Sequence, residues 1–268
     1  MTSTLPTPLD VKLMNLTASV LFLGCVLFAL GAGVMWALRS PGFSIARIVV
    51  HGELTHNNAV TLRANVAPHL VGNFFTVDLR AARAAFEQVP WVRHAQVQRV
   101  YPGSLRVDLQ EHQAVAYWGP ESGSALVNTQ GEVFEANTGD VEDDDLPRLS
   151  GPPDTSGEVL RMHGLLAAVF KPLALEVDVL ELTGRGGWRA TLDTQAVVEL
   201  GGGTPDEIVR RTERFARTLT QVASQYGRRA DALESADLRH DGGYALRLRG
   251  VATVVPAVAG APVVVRKR

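Results

Sequence analysis

The residues from Val89 to Trp118, "VPWVRHAQVQRVYPGSLRVDLQEHQAVAYW", carry the most ordered pattern in this 268-residue chain. Residues 101–103 are Tyr-Pro-Gly, a typical turn sequence, and they separate two runs in which apolar and polar residues alternate. In the second run Leu105, Val107 and Leu109 fall on every other position, so an extended strand would present them on one face. The pattern predicts two strands joined by a tight turn, with one face buried.

The residues before this stretch complete a small module. The predicted elements are a strand at 43–52, "FSIARIVVHG", helices at 59–66 and 79–88, and the two strands on either side of the turn. Asn57 or Asn58 would cap the first helix, Asp78 would cap the second, and Pro90 would end the second. The order strand, helix, helix, strand, strand over residues 43–112 predicts an α+β module with both helices on one face of a three-stranded sheet.

An uncharged apolar segment precedes this module at residues 16–38, "LTASVLFLGCVLFALGAGVMWAL". As a helix it rises about 1.5 Å per residue and spans about 34 Å, enough to cross a hydrocarbon core of about 30 Å. The alternatives are a cleaved signal peptide with a small-x-small site at 29–31, and a lipoprotein box at Cys25. The apolar run continues past the first site, and bulky Phe22 and Leu23 do not fit the second. The sequence therefore favours a single uncleaved transmembrane helix.

The orientation of this helix is not decided by charge, because Lys12 lies on one side of it and Arg39 on the other. Residues 1–15 are few and rich in Thr, Ser and Pro, so they are not expected to form a domain. Cys25 is the only cysteine, and a body without cysteine suits an oxidising compartment. The expected arrangement is a cytoplasmic tail at 1–15 and a folded body outside the cytoplasm.

Residues 113–255 are predicted to form a second, larger domain that is mainly antiparallel β-sheet with flanking helices. The predicted elements are short strands within 114–152, a helix at 158–170, three strands within 177–203, a helix from 204 to 226, a hairpin at 235–250 and a tail at 256–268. Thr204, Pro205 and Glu207 form a capping box with proline at the first helical position. The hairpin, "SADLRHDGGYALRLRG", has a Gly-Gly turn between a polar half and an alternating half.

The composition and the motifs argue against several classes of function. The formal charge is −2, from 26 basic and 28 acidic residues, so no strongly basic domain is present to bind nucleic acid. A single cysteine excludes an intramolecular disulfide and a cysteine metal cluster. The acidic run at 139–145 lacks the spacing of a calcium loop, and the run at 201–204 lacks the lysine of a phosphate loop. With its seven histidines scattered singly, the sequence predicts a non-enzymatic protein without a cofactor or a bound metal.

The ordered residues of the opening stretch resemble those of the FtsQ/DivIB family of bacterial cell-division proteins. The matching residues are Pro90, Trp91, Val92, Arg99, Tyr101, Pro102, Leu105, Val107, Glu111, Ala116 and Trp118. The resemblance implies a POTRA domain at 43–112 followed by the family's β domain at 113–255. Ala114 departs from the proline that the family usually carries, which weakens the expected rigid hinge between the two domains. For Trp91 and Trp118 we expect core packing.

The hairpin resembles the end of the same family's β domain, where the family binds the division protein FtsB together with FtsL. The partner-binding residues that the resemblance implies are Arg185, Asp237, Leu238, Arg239, His240, Gly243, Tyr244, Ala245 and Arg247. His240 stands where relatives commonly have tyrosine, so Tyr244 is expected to share the role of the aromatic anchor. The physical basis would be an incoming strand that pairs with the edge of the sheet, with arginines that bind partner carboxylates.

The function implied by this resemblance is a scaffold in the inner membrane. It would be a single-pass type II protein with its bulk in the periplasm, and it would link early and late division proteins at the septum. One alternative is a POTRA-type chaperone for outer-membrane proteins, although such proteins usually carry several POTRA units. A second alternative is a membrane-bound hydrolase, which would require a pocket with converging titratable groups.

Overall fold

The computed structural model describes residues 9–38, 40–52, 54–141, 145–240 and 242–251. These residues fall into two compact units that divide between His112 and Gln113. Residues 1–8 of the predicted N-terminal tail, part of the acidic run and the predicted C-terminal tail at 256–268 lie outside the described residues.

Helix α1, Leu9–Leu38, contains the predicted transmembrane segment. Its apolar side chains are exposed, and by length and composition it is able to cross a membrane. Residues 9–15, which were predicted to belong to the N-terminal tail, belong to this helix, which begins at Leu9. Neither proline nor glycine occurs between Leu9 and Asn15, and extending a helix that has already formed costs little.

The first unit contains the predicted order of strand, helix, helix, strand and strand. Its elements are β1 Arg47–His51, α2 Ala59–Val66, α3 Leu79–Glu87, β2 Val92–Val100 and β3 Ser104–Glu111. Strand β3 lies in the centre of the sheet, parallel to β1 and antiparallel to β2. The first strand is shorter than the predicted 43–52, because Pro41–Phe43 forms a turn of 3-10 helix. Asn58 rather than Asn57 caps α2, by accepting hydrogen bonds from the N–H groups of Val60 and Thr61.

The core of this unit is the face of the sheet that the sequence pattern indicated. Leu105, Val107 and Leu109 are buried, and Trp91 is buried as predicted, with 3% of its surface exposed. Trp91 adopts a φ of +69°, a left-handed conformation that is unusual for a large side chain. The His56 ring stacks on its indole, with 3.8 Å between the ring centroids. Trp91 is thus a buried side chain whose ring stacks on that of His56.

Glu111, at the end of β3, forms hydrogen bonds to the loop that leads into α2. Its carboxylate accepts hydrogen bonds from the backbone N–H groups of Thr55, His56 and Asn57, at 2.9–3.1 Å, and from the Asn57 side chain at 2.9 Å. The side chain is 7% exposed. Burial acts to raise the pKa of this carboxyl, but the hydrogen bonds from His56, Asn57 and Thr55 outweigh it, so the pKa lies below its ordinary value.

Replacing Glu111 by glutamine is expected to lower the free energy of unfolding by about 1–3 kcal/mol at pH 7, because the amide has one acceptor oxygen, and the donors bound to the other carboxylate oxygen lose their acceptor. Since the folded pKa is lowered, the stabilisation is present above the unfolded pKa of about 4.3 and disappears as the pH falls through the folded pKa. Urea unfolding of both proteins at a series of pH values measures the difference. A difference that stayed constant from pH 7 down to pH 3 would contradict a role for the carboxylate charge.

Among its described residues, the second unit has a mixed sheet of nine strands and two long helices. The strands are β4 Ala114–Trp118, β5 Ala125–Asn128, β6 Val133–Glu135, β7 Arg148–Ser150, β8 Val177–Leu182, β9 Trp188–Leu192, β10 Val197–Gly201, β11 Leu233–Asp237 and β12 Ala245–Leu248; the helices are α4 Ser156–Phe170 and α5 Pro205–Gln225. The sheet order is β12-β11-β10-β9-β8-β7-β4-β5-β6. Most neighbouring strands are antiparallel, as predicted, while β10–β11, β7–β8 and β4–β7 are parallel.

Both helices of this unit belong to one hydrophobic core with the sheet. Phe170 on α4 and Phe215 on α5 are fully buried in it, and so are alternate residues of the strands such as Leu180 and Val198. Trp118 is partly buried against this core. The predicted capping box at Thr204 is confirmed: its hydroxyl accepts from the Glu207 N–H while the Glu207 carboxylate accepts from the Thr204 N–H.

Candidate functional site

The candidate site is the hairpin of β11 and β12 at one end of the large sheet. The two strands are antiparallel, and Asp237 lies opposite Ala245 while Ser235 lies opposite Arg247. On its other side β11 pairs with β10 in parallel. Among the described residues, β12 is therefore the last strand at this end of the sheet.

The direction of each backbone group in β12 follows from the ladder. In an antiparallel pair, alternate residues point their N–H and C=O groups toward the partner strand and away from it. The Leu238 N–H donates to the Glu199 carbonyl of β10, so the even-numbered residues at this end of β11 face β10 and the odd-numbered ones, Ser235 and Asp237, face β12. Their partners in β12 are Arg247 and Ala245, so the odd-numbered residues of β12 face β11; the Arg249 N–H, which donates to the Ala232 carbonyl, agrees with this. Leu246 consequently directs its N–H and C=O toward the outer side of the strand. Among the described residues, no strand pairs with β12 on this outer side.

Arg239 and Asp237 form a close pair just beyond the end of β11. The Arg239 Nε lies 2.9 Å from Asp237 Oδ1, and its Nη2 lies 2.6 Å from Oδ2, so the contact is bidentate. The Arg239 backbone N–H also donates to Oδ1, at 3.0 Å. The arginine side chain is 60% exposed. The sequence predicted that this arginine would bind a carboxylate of a partner, whereas the structure gives it a carboxylate from its own chain.

The ion pair has a measurable electrostatic consequence. The hydrogen bond from the Arg239 side chain is the main reason why the pKa of Asp237 falls from 3.8 to about 2. The pair therefore stabilises the fold at pH values above the pKa of Asp237 in the unfolded chain, about 3.9. This stabilisation is lost as the pH falls toward the lower pKa of Asp237 in the folded chain.

Replacing Arg239 by alanine is expected to raise the pKa of Asp237 back toward 3.8, because the carboxylate loses its main hydrogen-bond donor. A carboxyl-carbon NMR titration of the wild type and the variant measures this value. If the pKa of Asp237 were unchanged in the variant, the pair would not form in solution.

Two of the predicted site residues point into the fold. Leu238 is 1% exposed and belongs to the core. The Tyr244 hydroxyl lies 2.6 Å from the Thr218 hydroxyl of α5, and its ring meets Phe215 edge to face at 5.0 Å between centroids. Tyr244 therefore attaches the start of β12 to the helix beneath it. Its predicted role as an aromatic anchor for a partner stays a prediction. Because Tyr244 is only partly exposed, a partner could contact only part of its side chain.

The other residues of the hairpin are exposed. His240, Gly243, Ala245 and Arg247 all lie at the surface. The Gly243 N–H donates to the His240 carbonyl at 3.4 Å, which closes the turn between the strands. Arg247 Nε lies 3.3 Å from a carboxylate oxygen of Glu234 on β11. These four residues are therefore accessible to a partner at the hairpin.

Arg185 lies in the turn between β8 and β9, exposed, at the same end of the sheet as Arg239. The glycines at the end of β10 lie between the two turns. A Cβ at Gly201 would lie 3.0 Å from the Cγ of Arg239, and a Cβ at Gly202 would lie 3.2 Å from the Gly186 carbonyl oxygen. Gly201 also has a φ of +78°, which favours glycine. The structure thus places at one end of the sheet the two arginines that the sequence separates.

Sequence reasoning missed a row of charged residues that crosses the face of the sheet away from the helices. Arg189 Nε lies 2.7 Å from a carboxylate oxygen of Glu199, and its Nη1 lies 3.6 Å from one of Glu181. Glu199 is in register with Asp237, so the row leads from β8 to the hairpin. The alternation of each strand indicates that these residues share a face, but only the strand order makes them neighbours. The described residues contain no group of three His, Cys, Asp or Glu side chains arranged to hold a metal ion.

Two protein-family models match the sequence. The POTRA domain, FtsQ-type, matches residues 43–112, and the C-terminal domain of the cell division protein FtsQ/DivIB matches residues 116–239. The second match therefore ends at Arg239, before β12.

Curated relatives match most of the chain. Cell division protein FtsQ of Burkholderia pseudomallei is 38% identical over 90% of this chain and 94% of the relative. The FtsQ proteins of Thiomonas arsenitoxydans and Bordetella pertussis are 39% and 38% identical, over 91% and 89% of this chain and 89% and 92% of their own lengths. At this identity and coverage, the chain belongs to the FtsQ/DivIB family of cell division proteins.

Proposed function

We propose that this protein is a non-enzymatic scaffold of the division machinery that binds FtsB, together with FtsL, through the outer edge of β12. Helix α1 would anchor it in the inner membrane as a type II protein, with both folded units in the periplasm at the septum. Other division proteins would bind elsewhere on the same scaffold. Membership of the FtsQ family supports the division role, and the apolar helix supports the membrane anchor.

The observation that carries this proposal is the outward-facing backbone of Leu246 on the last described strand of the sheet. An exposed strand edge is a template for another strand, because its N–H and C=O groups pair with an incoming main chain. A partner strand would gain two main-chain hydrogen bonds at Leu246 alone. Register and affinity would then depend on the side chains around the edge.

The charges around this edge favour a partner segment that carries carboxylates. Arg239 and Arg247 are exposed on the hairpin, and Arg185 is exposed in the β8–β9 turn at the same end of the sheet as Arg239. The pairing with Asp237 uses the Nε and one Nη2 proton of Arg239. A guanidinium has five N–H donors, so Arg239 retains donors for a second carboxylate while Asp237 holds its side chain in place. In this arrangement Asp237 positions the arginine rather than competing with the partner.

Replacing Arg239 by glutamate is expected to weaken FtsB–FtsL binding at least about tenfold, because the substitution removes a charge-assisted contact and adds repulsion against a carboxylate. The measurement is the affinity of the purified full-length chain, in detergent, for a co-expressed FtsB–FtsL pair. Arg161→Glu, at an exposed arginine of α4, is the matched control and is expected to bind as the wild type does. Equal binding by Arg239→Glu and the wild type would remove this arginine from the site, provided that circular dichroism shows both to be folded.

A further inference from the structure

The C-terminal end of α1 is attached to a loop of the POTRA module. The last carbonyls of a helix have no partner within the helix. In α1 one of these carbonyls, that of Leu38, accepts a hydrogen bond from the side-chain amide of Asn73. The Asn73 side-chain oxygen in turn accepts from the N–H groups of Phe75 and Thr76, each at 3.0 Å. The loop of residues 72–77 therefore lies beside the point at which the apolar helix ends.

Several large apolar side chains are exposed at this place. Phe43 and Phe75 meet edge to face, with 5.0 Å between their centroids, and 39% and 42% of their surfaces are exposed. Val71 is 79% exposed, and Tyr101, in the turn between β2 and β3, is 82% exposed. We refer to Phe43, Val71, Phe75 and Tyr101 together as the apolar patch. Neighbouring exposed side chains of this kind are typical of interaction surfaces.

Hydrogen bonds from the sheet hold the apolar patch in position. Arg99, on β2, donates from Nε to the Phe74 carbonyl at 2.7 Å and from Nη2 to the Val77 carbonyl at 2.6 Å. The Ala46 N–H donates to the Gly103 carbonyl at 2.8 Å, which places the β2–β3 turn beside the segment that leaves α1. The apolar patch is therefore a fixed surface of the first unit.

We propose that the apolar patch lies in the headgroup region of the same bilayer that α1 crosses, as a second contact between the POTRA module and lipid. The proposal rests on α1 spanning the membrane. The argument for it is continuity: Leu38 marks the end of the apolar helix, and Asn73, which binds the Leu38 carbonyl, lies in the chain between Val71 and Phe75 of the patch. Trp36, which is 79% exposed, precedes it on the helix. Aromatic residues at this depth are favoured because the headgroup region accommodates both their rings and their polar atoms.

Val60 provides a matched control, since it is an apolar residue that is 78% exposed, on helix α2 of the same unit. Helix α2 follows the loop that the Glu111 carboxylate binds. Glu111 is at the end of β3 that is far from the β2–β3 turn. Strand β3 has eight residues, and at about 3.3 Å each it separates the two ends by about 25 Å. A residue at that end of the module is outside the headgroup region if the patch is inside it.

The test uses the full-length chain in nanodiscs with Cys25 replaced by serine, and a single new cysteine in Val71→Cys, Phe75→Cys or Val60→Cys. Each protein is labelled with an environment-sensitive fluorophore. Doxyl-labelled phospholipid is expected to quench the labels at positions 71 and 75 at least about twofold more strongly than the label at position 60. Iodide in the aqueous phase is expected to give the opposite order.

These two quenchers also identify the outcome that contradicts the proposal. Labels at positions 71 and 75 that lipid quenches no more than the label at position 60 would overturn it, and the patch would then be available to a protein instead. The purified chain contains no partner, so this failure is distinguishable from a failure of FtsB–FtsL binding. Since the substituted positions are exposed, the variants are expected to fold, and their circular dichroism spectra check this.

Discussion

Replacing Leu246 by proline is expected to weaken FtsB–FtsL binding about 10- to 100-fold while the second unit remains folded. Proline has no N–H, so a partner strand that reaches the edge of β12 finds no donor at this position. The resulting unsatisfied carbonyl in the partner costs about 1–3 kcal/mol. The fold tolerates the change because proline is compatible with an edge strand whose N–H points outward. Titration of the purified chain with the FtsB–FtsL pair measures the loss.

Leu246→Ala is the matched control for this experiment. The Leu246 side chain packs against the core from the helix side of the sheet, so both substitutions remove packing and only proline removes the donor. If alanine weakened binding as much as proline, the edge of β12 would not be the binding surface. A chain that ends at Val251 is tested in parallel, because residues 252–268 begin only a few positions after the end of β12 at Leu248. We expect it to bind the partner at least as well as the full chain.

Replacing Phe215 by alanine is expected to reduce the free energy of unfolding of the second unit by about 3–5 kcal/mol. Phe215 is fully buried between α5 and the sheet, and its ring supports the ring of Tyr244. The cavity would therefore loosen the start of β12 as well as the core, and partner binding should fall with it. Hydrogen exchange read by mass spectrometry measures both effects, since the amides of α5 and β12 should lose protection while those of β3 in the first unit do not.

Tyr244→Phe separates the packing of this residue from its hydroxyl. The substitution keeps the ring on Phe215 and removes only the contact with the Thr218 hydroxyl, so we expect a loss of about 1 kcal/mol. Unchanged exchange of the β12 amides in Phe215→Ala would show that the hairpin is held independently of this core contact.

The secondary structure was largely predictable because its signals are short-range. A cap such as Asp78 or Thr204 forms hydrogen bonds to residues two or three positions away, and both of these caps are present. Alternation along β3 identified its buried face in the same way. The start of α1 was predicted too late, because a continuous apolar run marks where a helix can cross a membrane and not where its hydrogen bonds begin.

The candidate site was only partly predictable. The sequence placed the hairpin, its turn and the residues on it, and the family resemblance added Arg185 from a distant position. The sequence could not indicate that Leu238 and Tyr244 point inward. Nor could it indicate that Asp237 and Arg239 pair with each other, because both facts depend on which strand lies beside which. The charged row through Arg189 depends on strand order in the same way.

From its residues alone, this chain specifies one apolar helix, the order of its strands and helices, and its division-protein family, since each of these is encoded in local periodicity, caps and motif order. Tertiary structure decided the rest. It set β3 between β1 and β2, closed the Glu111 loop, brought Asn73 to the end of α1, and left the backbone of Leu246 facing outward at the last described strand. The physical reason is that hydrogen-bond partners far apart in the chain are chosen by packing of the whole unit, which no short stretch of sequence contains.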